Sequence, residues 1–260
     1  MRILFVGDVT GRPGRRILAR RLPQLRCEHA VNIVVANGEN AAGGMGLTAE
    51  VAAELFAVGV DVLTGGNHIW KNREAYALLD SDPRVFRPAN YPAGVPGRGA
   101  AVVRLADGTA LGVLNLEGRV FMQALDDPFR IAREEAARLR AVTPAIIVDF
   151  HAEATSEKVA MGWYLDGRVS AVVGTHTHVQ TADERVLPGG TAYITDVGMT
   201  GPRDGIIGMA RESILERFLT QLPVRFEVAP GPVQLNAVVV EITEAGHATS
   251  IRRLQVVEED

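Results

Sequence analysis

Residues 3–40 read ILFVGDVTGRPGRRILARRLPQLRCEHAVNIVVANGEN, and this stretch decides the fold. A short apolar run, Ile3 to Val6, gives way to a helical stretch, Pro13 to Arg26, and then to a second apolar run, Ile33 to Ala36. Thr48 to Val58 and Val60 to Leu63 continue the alternation, which predicts a βαβαβ series with a largely parallel inner sheet covered by helices. The pattern then changes. Residues 81–100 are rich in Pro and Gly, and Ala101 to Leu105 and Leu111 to Leu116 flank Asp107-Gly108, a dipeptide suited to a hairpin turn.

Asp127 to Ala141 has helical spacing and leads into Ala145 to Phe150, a run apolar enough for a buried strand. Ser170 to Gly174 and Thr191 to Thr195 repeat the strand signal, and Gln234 to Thr243 pairs with Ser250 to Val257 across Gly246 as a closing antiparallel hairpin. No repeat, low-complexity tract or linker divides residues 1–260, so one domain is expected. Its class is α/β, with mixed strand directions split between two stacked sheets and helices outside.

Hydrophobic residues make up 47% of the chain, enough for a large core. The 27 Lys and Arg against 31 Asp and Glu leave a net charge of −4, which argues against non-specific nucleic-acid binding and makes any phosphate affinity local. The single cysteine, Cys27, allows neither an intramolecular disulfide nor a thiolate cluster and suits a reducing compartment. No leader pattern opens the sequence and no segment nears the roughly 18 apolar residues of a membrane span. A cytoplasmic protein that binds no membrane is expected.

The chemistry lies in what each strand runs into. Ile3 to Val6 ends at Gly7-Asp8, Ile33 to Ala36 at Asn37-Gly38-Glu39-Asn40, Val60 to Leu63 at Gly65-Gly66-Asn67-His68, Ala145 to Phe150 at His151, and Ser170 to Gly174 at Thr175-His176-Thr177-His178. The carboxyl ends of strands in α/β sheets share one edge, where ligands bind, so these residues are expected to converge. A lone histidine is ordinarily a satisfied core or surface residue. Four in register with Asp, Glu and Asn carry metal chemistry, and the alternation in His176-Thr177-His178 predicts two imidazoles on one side of an extended segment. His29 and His247 fall at a helix end and in a hairpin turn.

These blocks, Gly7-Asp8, Gly66-Asn67-His68, His151 and Gly174-Thr175-His176-Thr177-His178, resemble in order those of the calcineurin-like dinuclear metallophosphoesterases. Gly7 to Gly11, Asn37 to Asn40, Asp149 to Glu153 and Thr195 to Pro202 resemble the YmdB-type phosphodiesterase branch more closely, over residues 1–258. The resemblance implies a four-layer α/β/β/α sandwich of mixed sheets. It also implies a metal-dependent phosphodiesterase acting on cyclic nucleotides, 2′,3′ or 3′,5′, or on a related phosphodiester. By resemblance, Asp8, Glu39, Asn40 and His178 hold one metal, Glu39, Asn67, His151 and His176 hold the other, and Glu39 bridges. The sequence departs from the broader superfamily at Asp8-Val9-Thr10, where Asp-x-His is usual, and at Glu39, where an Asp is usual.

Two divalent or mixed-valence ions against two carboxylates leave a charge of about +2, suited to an anionic diester cleaved by a metal-bridging hydroxide. Mixed oxygen and nitrogen donors permit Fe, Mn or Zn, with Fe or Mn foremost, and disfavour Cu(I). His68 is the expected general acid for the departing oxygen, and Asp149 or Glu153 the expected orienter of His151. Gly43 to Gly46 and Thr200 to Pro202 are expected to rim the crevice, and Arg12 to Arg21 to form a solvated helix face from which Arg12 reaches substrate. The expected partners are a small phosphodiester and further copies of the chain. Gly7, Gly11 and Gly14 are spaced GxxxGxxG, not the GxGxxG of a dinucleotide fold, which argues against an oxidoreductase. The competing class is a regulatory protein that holds metal and nucleotide but hydrolyses slowly; turnover measured beside affinity separates the two.

Overall fold

The computed structural model describes residues 1–259. The chain runs through β1 (Arg2–Val6), β2 (Asp8–Val9), α1 (Gly11–Glu28), β3 (Ile33–Asn37), α2 (Ala49–Ala57), β4 (Val62–Thr64) and α3 (Glu74–Ser81). It continues through β5 (Ala100–Arg104), β6 (Ala110–Glu117), α4 (Pro128–Arg140), β7 (Ile146–His151), α5 (Thr155–Leu165), β8 (Ala171–Thr175), β9 (Arg185–Val186) and β10 (Ala192–Ile194). The last elements are β11 (Met199–Pro202), α6 (Arg211–Thr220), β12 (Val233–Ile242) and β13 (Ala248–Glu258).

Two mixed sheets result. The first has the order β2-β11-β12-β1-β3-β4, with β13 on β12, and the second the order β5-β6-β7-β8-β10-β9. Strands β1, β3 and β4 run parallel, as do β6, β7, β8 and β10. The closing hairpin lies antiparallel along β1 through β12.

Alternation along the strands builds the layers. Ile3 and Phe5 of β1 with Ile33 and Val35 of β3 face Val113, Ile147 and Val173 of the second sheet. Leu4, Val6, Val34 and Ala36 point the other way, onto Ile17, Leu18 and Leu22 of α1 and Val51 and Leu55 of α2. On the far side, Leu114, Ile146, Val148 and Phe150 pack on α4 and α5 through Ala132, Leu139 and Met161. A side-chain period of two lets one strand feed two cores, which is why these runs are apolar throughout and why the order of layers is α/β/β/α.

Three helices, α3, α5 and α6, escape sequence reading. In α5 the buried side includes Glu157, Lys158 and Gly162, so an apolar stripe is not what marks it. In α6 only Ile214 is buried while Phe218 and Leu219 are exposed, which inverts the usual periodicity. Thr200 to Pro202 corrects another expectation. It is the buried strand β11, bound to β2 and β12, and so forms part of the sheet, not a loop at the rim. Among the described residues no helix is long and apolar enough to cross a membrane.

Candidate metal centre

Because the parallel strands point the same way, β1, β3 and β4 deliver Asp8, Glu39 and Asn67 to the edge at which β7 and β8 deliver His151, His176 and His178. Asp8, Glu39 and His151 are wholly buried. The approach is close enough that Gly66 has no alternative, since a Cβ there would collide with the His151 ring and a Glu39 oxygen.

The donor atoms crowd around His151 Nε2. Asn67 Oδ1 lies 2.9 Å from it, His176 Nδ1 3.0 Å and Glu39 Oε1 3.3 Å. Donor atoms of Glu39, His151 and His176 all lie within 4.8 Å of one another. A ring nitrogen carries at most one proton, so one hydrogen bond cannot satisfy the lone pairs of Asn67, Glu39 and His176 together. A cation shared by the four groups would. Beside them Asp8 Oδ1 is buried with no hydrogen-bond partner, 3.9 Å from His178 Nε2 and from His151 Nδ1. An unpaired buried carboxylate oxygen is costly, and a metal ion is one of the few groups that compensates it.

The buried ionisable groups of the cluster perturb one another strongly. Burial pushes the Asp8 carboxyl up. Burial would push Glu39 up as well, yet the His151 and His68 contacts outweigh it and hold Glu39 well below the usual range. Burial lowers an imidazole, but Glu39, Asp8 and Asp149 overcome this at His151 and raise it to about 9. His176, desolvated and next to His151, falls to about 3 and is therefore neutral and able to donate a lone pair.

Asn40 differs from the other candidates. Its Oδ1 meets His68 Nδ1 at 2.8 Å, while its Nδ2 faces Glu39 Oε1 at 3.2 Å and His178 Nε2 at 3.3 Å. In this orientation Asn40 presents its oxygen to His68 and its nitrogen to Glu39 and His178, within the same cluster of donors. His68 is part of the cluster but not buried in it. Its backbone N–H donates to Glu39 Oε2 at 2.9 Å, its Nδ1 is engaged by Asn40, and its side chain is one quarter exposed. The ring thus turns its Nε2 edge away from Asn40.

His176 and His178 do not lie on an extended segment, as their spacing predicts. β8 ends at Thr175, and both histidines have positive φ, 101° and 67°. Such conformations cost a non-glycine residue about 1–2 kcal/mol and are kept where surrounding contacts impose them. Here the contacts converge on Thr177. Asp196 Oδ2 accepts from Thr177 N at 3.0 Å, Thr177 Oγ1 at 2.7 Å and Lys158 Nζ at 2.6 Å, and Asp196 Oδ1 accepts from Gly198 N at 2.8 Å. Lys158 and Asp196 are fully buried.

Asp149 reaches His151 indirectly. Thr175 Oγ1 donates to Asp149 Oδ1 at 2.7 Å and meets His151 Nδ1 at 2.9 Å, while Thr64 and Asn37 of the first sheet donate to Asp149 Oδ2 at 2.5 and 3.0 Å. Glu153 instead meets His176 Nε2 at 3.1 Å and so orients a different ring from the one expected. The basic face of α1 is also less free than predicted. Arg15 pairs with Glu54 and donates to Ala41 O, and Arg20 and Arg21 pair with Glu258. Arg12 remains exposed.

Two participants were overlooked in the sequence. Glu117 ends β6 opposite His151, is buried, and is raised to about 7 by burial; the rule that found the other strand ends applies to it too. Lys158 carries no such signal, because a lysine within a helix ordinarily reads as solvated.

A family described as YmdB-like protein matches residues 4–254. A Bacillus subtilis (strain 168) protein named 2′,3′-cyclic-nucleotide 2′-phosphodiesterase is 54% identical over 257 residues, 98% of this chain and 97% of that one. The crystal structure of a hypothetical protein from Thermus thermophilus superposes with a TM-score of 0.90 at 45% identity, covering 100% of both chains. The crystal structure of a novel phosphatase from Mycoplasma pneumoniae superposes with a TM-score of 0.93 at 34% identity, covering 100% of this chain and 94% of that one.

Proposed function

The chain belongs to the YmdB-like family and is a phosphoric diester hydrolase, and we propose that it opens nucleoside cyclic phosphates at a centre of two metal ions held at the facing sheet edges. The observation that carries this reading is the crowding of Asn67, Glu39 and His176 lone pairs on His151 Nε2, next to the unpartnered Asp8 Oδ1. Asp8, Glu39, Asn40, Asn67, His151, His176 and His178 would hold the ions, and Asn40 also engages His68. Bound there, Fe, Mn or Zn ions supply Lewis acidity toward the phosphate and lower the pKa of water to near neutrality.

The residues supply the rest. With His68 Nδ1 occupied by Asn40, the ring is held so that Nε2 can deliver a proton to the departing sugar oxygen. Water adds across the ester: its oxygen forms one P–O bond and releases a proton to solvent, the ring P–O bond to the sugar breaks, the proton from His68 completes the sugar hydroxyl, and His68 is reprotonated from solvent. The 2′,3′-cyclic phosphates are the preferred class, on the name of the Bacillus subtilis relative. Diesters should be favoured over monoesters, because a singly charged ester with a poor alkoxide leaving group matches a site of modest positive charge with one acid.

The test is metal analysis combined with turnover on 2′,3′- and 3′,5′-cyclic nucleotides and matched monoesters, with Mn, Fe and Zn in turn. About two ions per chain and the highest kcat/KM on a cyclic diester are expected. Nucleotide binding without turnover in metal-loaded protein would instead favour the regulatory role.

A further inference from the structure

We propose that the cavity walled by Trp70, Tyr76, Tyr91, Val95 and Pro96 is the subsite for the nucleobase of the substrate, an inference that rests on the phosphodiesterase reading above. The cavity has a volume of about 250 Å³. Its walls are three aromatic rings, an aliphatic side chain and a proline, with no cation or carboxylate among them, so an anionic phosphate is not its guest. Trp70 meets Tyr91 edge-on at 5.2 Å and Tyr76 at 5.7 Å, which fixes the rings as a box. A planar, weakly polar ring is the guest such a box takes, since every base has a face that stacks on an aromatic side chain.

Position ties this box to the candidate centre. Trp70 follows His68 by two residues in one tight turn, where Ile69 N donates to Gly66 O at 3.2 Å and Lys71 N to His68 O at 3.0 Å. On the other wall, the Tyr91 hydroxyl donates to Glu117 Oε2 at 3.0 Å, and Glu117 is the ladder partner of His151. The two walls are therefore anchored to the proton donor and to a metal-facing histidine. A cyclic nucleotide joins its phosphate to its base through a single ribose, which is the link needed between neighbouring sites.

The experiment compares adenosine 2′,3′-cyclic phosphate with base-free ribose 2′,3′-cyclic phosphate in wild-type protein and in Tyr76→Ala and Trp70→Leu variants. Tyr76 is exposed, so its replacement leaves the core intact even if the Trp70 variant folds poorly. The wild type should show a KM roughly 5- to 150-fold lower for the base-bearing substrate, the range one stacked base supplies. Tyr76→Ala should remove most of that preference while kcat on the base-free substrate stays within about twofold. Independently, adenosine alone should quench Trp70 fluorescence in a Trp163→Phe protein, and Tyr76→Ala should weaken that quenching. Equal KM values for the two substrates in the wild type overturn the proposal and leave the phosphodiesterase reading standing. If neither cyclic phosphate is hydrolysed, quenching that depends on Tyr76 keeps the base pocket and discards the phosphodiesterase reading; absence of quenching discards both.

Discussion

The two sheet edges contribute opposite kinds of donor and hold them in opposite ways. The first edge supplies oxygens, Asp8, Glu39 and Asn67, from short glycine-rich turns braced by nearby groups, as where Asn37 Oδ1 receives Glu39 N at 3.2 Å. The second edge supplies imidazoles, each braced by a buried carboxylate: Asp149 through Thr175 for His151, and Asp196 through Thr177 for His176 and His178. The difference follows from the donors. A carboxylate or carboxamide oxygen has two lone pairs and tolerates a range of approach, whereas an imidazole nitrogen has one, in the plane of the ring. Rings must be aimed, and aiming them needs a supporting layer.

Loss of the Glu39 charge should have the largest effect. Glu39→Gln removes the charge proposed to join both ions, and kcat/KM should fall by about 10⁴-fold or more, with both ions lost together in elemental analysis. Retention of two tightly bound metals would show that the halves bind independently.

Next comes the residue that faces neither half as a metal ligand. His68→Ala should keep metal content and fold while lowering kcat by roughly 10²- to 10⁴-fold on diesters with alkoxide leaving groups. A nitrophenolate ester, whose leaving group departs without much protonation, should suffer far less. Equal losses on both esters would transfer His68 to the supporting layer.

The histidine side is then broken at its clamp. Asp196→Asn leaves Lys158 charged and buried without its partner, which should cost about 3–5 kcal/mol of stability, read by denaturant unfolding of metal-free protein. Combining it with Lys158→Met should recover part of that cost. If the single and double variants are equally unstable, the ion pair does not hold the Thr177 turn.

The smallest change sharpens the contrast most. Thr175→Val cuts the link between Asp149 and His151 while keeping the shape of the side chain, and metal affinity should weaken by about 10- to 100-fold. The matching change on the oxygen side, Asn37→Ser, should weaken it less, because Glu39 depends less on orientation. An equal or larger loss at Asn37 would remove the distinction between the two edges.

Much of this was legible before any coordinates. The apolar runs at Ile3, Ile33, Ala145 and Ser170, each ending in Asp, Glu or His, give both the strands and the edge at which they meet, because parallel strands carry their carboxyl ends together. Val60 belongs to the turn after α2, its N–H bonded to Leu55 O, so β4 starts two residues later than the pattern indicates. The helices α5 and α6 were missed because their buried positions do not form an apolar stripe, and α3, whose buried Ala75, Leu78 and Leu79 do form one, is only 8 residues long.

What the sequence determined by itself is the identity of the donors and the alternation that brings them to one side, both properties of covalent order and side-chain period. What only the tertiary structure decided is where each donor atom points. Asn40 turns its oxygen to His68, Glu153 serves His176 in place of His151, and the His176–His178 turn bends through positive φ where an extended segment was expected. Those outcomes depend on Lys158, Asp196, Thr175 and Asp149, residues distant along the chain whose buried hydrogen bonds fix the rings. Sequence spacing carries no record of such contacts, because they exist only once both sheets have packed and excluded water from the edge between them.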